Sequence, residues 1–453
     1  MSPPGALLIL PVLACLTVVA RASGKRAAWL TELPIAAALG VGLSSVTWWG
    51  LLQLTAGSRT AMLALDLTLW CAVIVLAFFV RAGSADSHQS ERDAAPASRM
   101  LTWAAVAAFA AASVLAVTSF AATSRVFPHA GWDAWSIWNI RARFLFLTEP
   151  SRWTDAFAEQ LSYSHPDYPL LLPLSVSRGW TFAGDDTVLV PILLGALFAA
   201  ATVAVAALSV ARARTPAHGL MTATAILASP AFLKWAPSQC ADVPVGLYIL
   251  ASFVMFGYAT VRDRPLWWLL AGLSAGLAAW TKNEGLVFTL VFVIVCSAWH
   301  WRTHGWTRAW SLAWLVTGSA IALAALVVFK VYFSPPGMLG RAFSVPAALA
   351  LATDVGRIRL VVGAVASEVW LGGATTIGVL PILCACLLIG GLRRPGAPAV
   401  AGLVSMVLVI GIYAVYYVVT PSHNLAWYVS TSVDRLVLQA FPTTVWGLMM
   451  AAR

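Results

Sequence analysis

Charge is what this sequence has least of. Asp, Glu, Lys and Arg together make up 10% of its 453 residues, against 60% hydrophobic; soluble globular chains carry about 25% charged residues. An ordinary water-soluble enzyme is thereby excluded. Chemistry-bearing motifs are scarce as well: no Gly-rich nucleotide loop, no nucleophilic Ser-His pair and no rich metal cluster is visible. The six cysteines (Cys15, Cys71, Cys240, Cys296, Cys384 and Cys386) form no CxxC pair, so neither a zinc site nor a disulfide framework is indicated. Cys384 and Cys386 read as packing residues. No heptad pattern or internal repeat is evident. A long basic run is also missing, although Lys plus Arg outnumber Asp plus Glu 28 to 18 and the net charge is +10. The basic residues recur singly or in pairs between apolar stretches, as topology demands, and nucleic acid is not an expected partner.

What is present is apolar length. Stretches near 5–20, 33–54, 60–80, 101–123, 187–211, 218–235, 241–261, 265–281, 286–301, 308–330, 374–392, 397–419 and 436–451 predict about 13 membrane helices. The fold class is therefore all-α and polytopic, and the 22 tryptophans suit its many membrane–water interfaces. Several stretches are short for a full crossing, as expected of helices broken or tilted around a cavity.

The denser basic charge falls in RASGKR, in 81–99, at 212–214, 262–264, 301–308 and 393–396, all on one side under this count. That side is cytoplasmic, and the first span starts outside. The chain divides into a three-helix N-terminal extension (1–83), a small, polar cytoplasmic linker (84–99) and a main transmembrane region (100–453). The last contains a large outer loop, 125–186, in which YPLLLPLSVSRGWTFAG (168–184) is too short to cross. It predicts a helix lying in or dipping into the outer interface.

Five polar segments interrupt the apolar helices, all on the outer side. In GWDAWSIWNIRAR (131–143) the tryptophans suit headgroup depth and Arg141 and Arg143 suit phosphates, but Asp133 gains nothing from an anionic surface. YSHPDYPLLLP (163–173) sets His165 and Asp167 two residues apart, weak grounds for a divalent metal site and equally suited to a polar loop. In KWAPSQCADVPVGLY, Asp242 reads as a helix N-cap before a first-turn proline, with Lys234 nearby. AAWTKNEGLVF holds Lys282 and Glu284 in a tight turn closed by Gly285, and SVDRLVLQAFP holds Asp434 and Arg435, a ready surface ion pair. Charges at membrane depth are costly and face cavities, so the convergence of the five is the functional signal.

In the order GWDAW, HPDYPLLLP, SQCADVPVGLY, AAWTKNEGL and SVDRLVLQAFP, over residues 101–453, the chain resembles the GT-C-fold membrane glycosyltransferases. That group includes protein O-mannosyltransferases and lipid A aminoarabinose transferases. The resemblance implies a GT-C-like helical bundle whose first outer loop carries the catalytic aspartate, matched here by Asp133. It implies that His165 and Pro166 match the family's His-Pro element, and that Asp242, Lys282 and Arg435 match polar positions flanking the cavity. The implied donor is a polyprenyl-phosphate-linked sugar, the implied acceptor a glycan, lipid or protein. The implied place is a bacterial inner membrane with the site facing the periplasm. Ala134 after Asp133, and Leu436 after Arg435, depart from patterns common in that group.

The residue inventory agrees with such chemistry. A carboxylate takes the acceptor proton, with Asp133 the expected base and inversion the expected outcome. Arg141, Arg143, Lys282 and Arg435 are the expected cations for the leaving phosphate. Asp167, Asp242 and Glu284 complete the expected substrate-binding set, with a divalent metal possible. A transporter or flippase of a lipid-linked or anionic substrate would explain charged, broken helices too, as would a non-catalytic polyprenyl-lipid binding protein.

Overall fold

The computed structural model describes residues 7–23, 29–79, 99–147, 150–262, 264–335, 344–422 and 424–453. Its regular elements are all helical, with one isolated antiparallel bridge between Leu392 and Ala452. In chain order the helices are α1 (Leu10–Ser23), α2 (Trp29–Leu54), α3 (Arg59–Phe79), α4 (Arg99–Val126), α5 (Asn139–Leu147), α6 (Leu171–Ala183), α7 (Leu189–Ala213), α8 (Pro216–Leu227), α9 (Pro230–Trp235) and α10 (Asp242–Arg262). There follow α11 (Pro265–Thr281), α12 (Asn283–His304), α13 (Ala309–Tyr332), α14 (Val345–Ala352), α15 (Val355–Leu371), α16 (Val379–Gly390), α17 (Ala397–Val419), α18 (Leu425–Ser430) and α19 (Val433–Met449). The linker expected at 84–99 lies outside the described residues, apart from Arg99, which opens α4.

Eight of these helices are long and apolar enough to cross a membrane: Glu32–Leu54 within α2, then α3, α4, α7, α10, α12, α13 and α17. The chain is thus an all-helical protein with the build of a multi-pass membrane protein. Helix α4 is apolar all round yet buries only Ala105 and Ala112, so its surface belongs against lipid. The other expected spans fall on shorter helices, α1, α11, α16 and α19. The span expected at 218–235 is two helices, α8 and α9. Pro230 cannot donate to a continuing helix, and the Ser229 side chain instead accepts from the Phe232 N–H to start a new one.

Helices α10, α11 and α2 form the centre of the core. The Tyr248 hydroxyl of α10 donates to the Ala38 carbonyl of α2 at 2.8 Å, and Trp280 of α11 donates to Ser45 Oγ at 3.0 Å. The N-terminal three-helix segment is therefore packed into the same core as the rest. Helices α11 and α13 approach most closely. A Cβ on Gly272 would sit 1.8 Å from the Leu315 carbonyl oxygen, and one on Gly318 would sit 2.0 Å from that of Leu269. Small residues at such crossings let helix backbones meet where lipid supplies no hydrophobic drive.

The helix expected in the outer interface is α6, and it is enclosed by protein instead. Eleven of its 13 residues are buried. Gly179 allows Val190 of α7 to close in, and the Arg178 guanidinium is neutralised by Asp66 of α3 at 2.7 Å, with Trp70 donating to the same carboxylate. A buried arginine with so complete a partner does not seek the headgroups.

Candidate functional site

Three helix boundaries meet in one cluster. Asp242 is the first residue of α10, Lys282 sits between α11 and α12, and Arg435 lies in the first turn of α19. Asp242 is only 1% exposed. Its Oδ1 accepts from Lys282 Nζ at 3.0 Å and from Gln439 Nε2 at 2.8 Å, while Oδ2 accepts from Arg435 Nε at 2.8 Å. Expected to cap the helix, Asp242 gives its carboxylate oxygens to side chains instead: it holds two cations side by side. Lys282 also pairs with Glu284 at 2.8 Å. Gly285 is needed there for room, since a Cβ would meet the Ala278 carbonyl oxygen at 1.8 Å.

Arg435 extends the network outward. Its Nη1 donates to Asp133, whose side chain is 30% exposed and is the open end of the chain of charges. The guanidinium also lies over the Trp235 ring, 4.9 Å from its centre. The surface pair expected between Asp434 and Arg435 is not made side chain to side chain. Asp434 accepts from Lys234 at 2.9 Å and Trp235 at 3.1 Å, which leaves Arg435 to the two carboxylates.

Asp133 is placed by local geometry. It precedes a π-helical turn, Ala134–Trp138, that continues into α5, and such turns redirect side chains at functional sites. His165 and Asp167 flank the cluster. His165 takes a left-handed backbone (φ 49°), stacks on Tyr168 at 5.0 Å and lies within electrostatic reach of Asp167, Arg141, Asp133 and Lys282. Burial pushes its pKa below the ordinary value, the carboxylates of Asp167 and Asp133 pulling the other way. Asp167 accepts from Asn283 at 3.0 Å, and Lys330 bridges Asn283 Oδ1 (2.9 Å) and the Asp167 carbonyl.

Two expected cations lie elsewhere. Arg141 is fully buried beneath the loop, donating to the carbonyls of Ile137 (3.0 Å) and Tyr168 (2.8 Å). Burial draws its pKa down to about 10, against the raising influence of Asp167 and Tyr168, so it stays charged and ties the loop together. Arg143 points to another side of the segment and pairs with Asp186 at 3.2 Å. Arg143 is four residues from Asn139 within α5 and shares its face, whereas the π-helical turn at Ala134–Trp138 separates it from Asp133 and sets the angle between them.

Gln439, Asn283 and Lys330 join the site without having been singled out from the sequence. Gln439 is one helical turn beyond Arg435, a spacing that places it on the same face. Lys330 is a lone cation at the end of an otherwise apolar helix. As for a divalent ion, no three His, Cys, Asp or Glu side chains come together to hold one among the described residues. The Asp133 and Asp242 carboxylates already accept from Arg435 and Lys282, a donor set that does not fit a resident metal. The chain matches no protein-family model, no curated protein and no solved structure.

Proposed function

We propose that the chain is a membrane glycosyltransferase that moves a sugar from a polyprenyl-phosphate carrier to an acceptor hydroxyl on the outer face, on a GT-C-like bundle of about 13 crossings. The observation that supports it is the bridge from buried Asp242 through Arg435 to accessible Asp133. One carboxylate fixes the cations; the other is left where a substrate can meet it.

In this reading Asp133 takes the acceptor's hydroxyl proton as the acceptor oxygen attacks the anomeric carbon. The anomeric carbon–phosphate oxygen bond breaks with inversion, and polyprenyl phosphate leaves carrying the electron pair. Arg435 and Lys282, held by Asp242, meet the charge that develops on the phosphate. As the phosphate draws on Arg435, Asp133 loses its counter-charge and becomes the stronger base. No step is routed through a metal.

The test is transfer of radiolabelled sugar from a panel of polyprenyl-phosphate donors in proteoliposomes, wild type beside Asp133→Asn. Consumption of one donor that falls on the order of 10²-fold or more in the variant is expected. Wild-type turnover by Asp133→Asn would sink the reading. Labelled lipid crossing the bilayer with no transfer would put a transporter in its place.

A further inference from the structure

Arg435 is held by its edges in a way that the proposed reaction has to undo. Its Nε and Nη2 both lie 2.8 Å from Asp242 Oδ2, and two contacts on one oxygen leave the guanidinium able to pivot about it. The bond from Nη1 to Asp133 blocks that pivot in the resting site. When Asp133 takes a proton, or a phosphate draws Nη1 away, the block is gone. A restraint is needed that survives the exchange.

Trp235, the last residue of α9, supplies one. Arg435 Cζ lies 4.9 Å from the centre of its ring, so the cation is held through a π face and no edge donor is spent. The ring is fixed in turn. Its Nε1 donates to Asp434 Oδ2 at 3.1 Å, an oxygen that also accepts from Lys234 Nζ at 2.9 Å. The Lys234 ammonium itself sits 4.6 Å from the centre of the same ring. Asp434 Oδ1 accepts from the Arg435 backbone N–H at 2.9 Å. One carboxylate thus ties the indole of α9 to the backbone of α19, beside the residue whose guanidinium the indole supports.

Asp434 and Arg435 are neighbours in sequence, yet their side chains do not pair; the carboxylate reaches the guanidinium through the indole. We infer that Trp235 is a positioning residue for Arg435, and that Asp434 sets it. Trp235 keeps the guanidinium in place while Asp133 serves the acceptor. Its part in turnover rests on the transferase reading; its hold on the guanidinium does not. A plain packing role has a different signature: loss of the indole would lower the melting temperature and loosen Arg435 no more than its neighbours.

Phenylglyoxal, which modifies guanidinium groups, reads the hold directly, with the rate at Arg435 followed by mass spectrometry on the full chain in detergent. Trp235→Leu should raise that rate about tenfold. Its melting temperature should not change, because Trp235 is only half-buried. Trp235→Phe, which keeps a face and loses the N–H, should fall between wild type and Trp235→Leu. Asp434→Ala should also speed modification, and should add nothing in the Trp235→Phe background, where no N–H remains for the carboxylate to hold. In proteoliposomes with the donor that wild type consumes, Trp235→Leu should lower kcat about tenfold and leave KM nearly unchanged. Unaltered modification of Arg435 in Trp235→Leu would overturn the inference. So would an Asp434→Ala effect of equal size in both backgrounds, which assigns it to charge alone. If Trp235→Leu does not fold, the comparison of Asp434→Ala in the two backgrounds decides by itself. Faster modification with unaltered kcat would overturn the part given to Trp235 in turnover. A wild type that transfers no sugar removes the transferase reading, and the modification rates still decide whether Trp235 holds Arg435.

Discussion

Arg435 and Asp242 meet through two nitrogens on one oxygen: Nε and Nη2 of the guanidinium both lie 2.8 Å from Asp242 Oδ2. Its remaining terminal nitrogen donates to Asp133, 302 residues earlier in the chain. A single planar group therefore joins the buried interior to the accessible end of the site, and its orientation fixes both.

Asp242→Asn should be strongly destabilising. The substitution leaves Lys282 and Arg435 facing a neutral group in a site that water hardly enters. Breaking one side of a buried ion pair costs about 3–5 kcal/mol. Thermal unfolding in detergent should report a clear fall in melting temperature for Asp242→Asn and a negligible one for Asp133→Asn, whose side chain is partly open. Equal melting temperatures for wild type and Asp242→Asn would refute the central role given to this carboxylate.

Arg435→Lys should not rescue function. A lysine ammonium carries the charge but lacks the fork that reaches Asp242 and Asp133 together. Transfer should fall on the order of 10²-fold, the scale for removing a preorganised electrostatic contact, with the larger change in kcat. A lysine variant within a few-fold of wild type would mean that charge alone is enough.

Much of this site can be read in the chain, because the polar segments stand out against apolar helices: Asp133, Asp242, Lys282, Glu284 and Arg435 all belong to one hydrogen-bonded network. What cannot be read is the side to which each residue of 131–143 turns. A π-helical turn sits inside that segment, and it shifts the register that a simple 3.6-residue period would assign. Arg141 consequently ties the loop together, and Arg143 pairs with Asp186. The enclosure of α6 is equally hidden, since it depends on Asp66 lying 112 residues away. By contrast, the break at Ser229-Pro230 carries an ordinary cap signal, one that apolar length alone overrides in a search for spans.

His165 gives a pH test with a definite sign. Its folded pKa is lowered, chiefly by burial, whereas the unfolded chain titrates at about 6.5. Between the two values the unfolded state binds more protons, so the contribution to stability is complete above about 6.5 and is lost as pH falls through the folded value. Melting temperatures measured from pH 7.5 to 5 should drop more for wild type than for His165→Asn, which tolerates the left-handed backbone without titrating. Parallel pH curves would remove His165 as the titrating group.

The α11–α13 contact should control the site from a distance. Helix α11 ends at Thr281 and hands the chain to Lys282, while α13 carries Lys330 near its own end. Their spacing is set where Gly272 and Gly318 let carbonyl oxygens of the facing helix approach to within a Cβ's reach, and Ser319 Oγ donates to the Gly272 carbonyl at 3.0 Å. Gly272→Val must push backbone, not a flexible side-chain end, so the helices part. Overpacking of this kind costs about 1–3 kcal/mol, and the displacement carries Lys282 away from Asp242. Gly50→Ala makes the control, because a Cβ there meets nothing within 4 Å. Transfer activity and melting temperature should both fall in Gly272→Val and hold in Gly50→Ala. Full activity in a folded Gly272→Val protein would mean that the helix contact does not position the lysine.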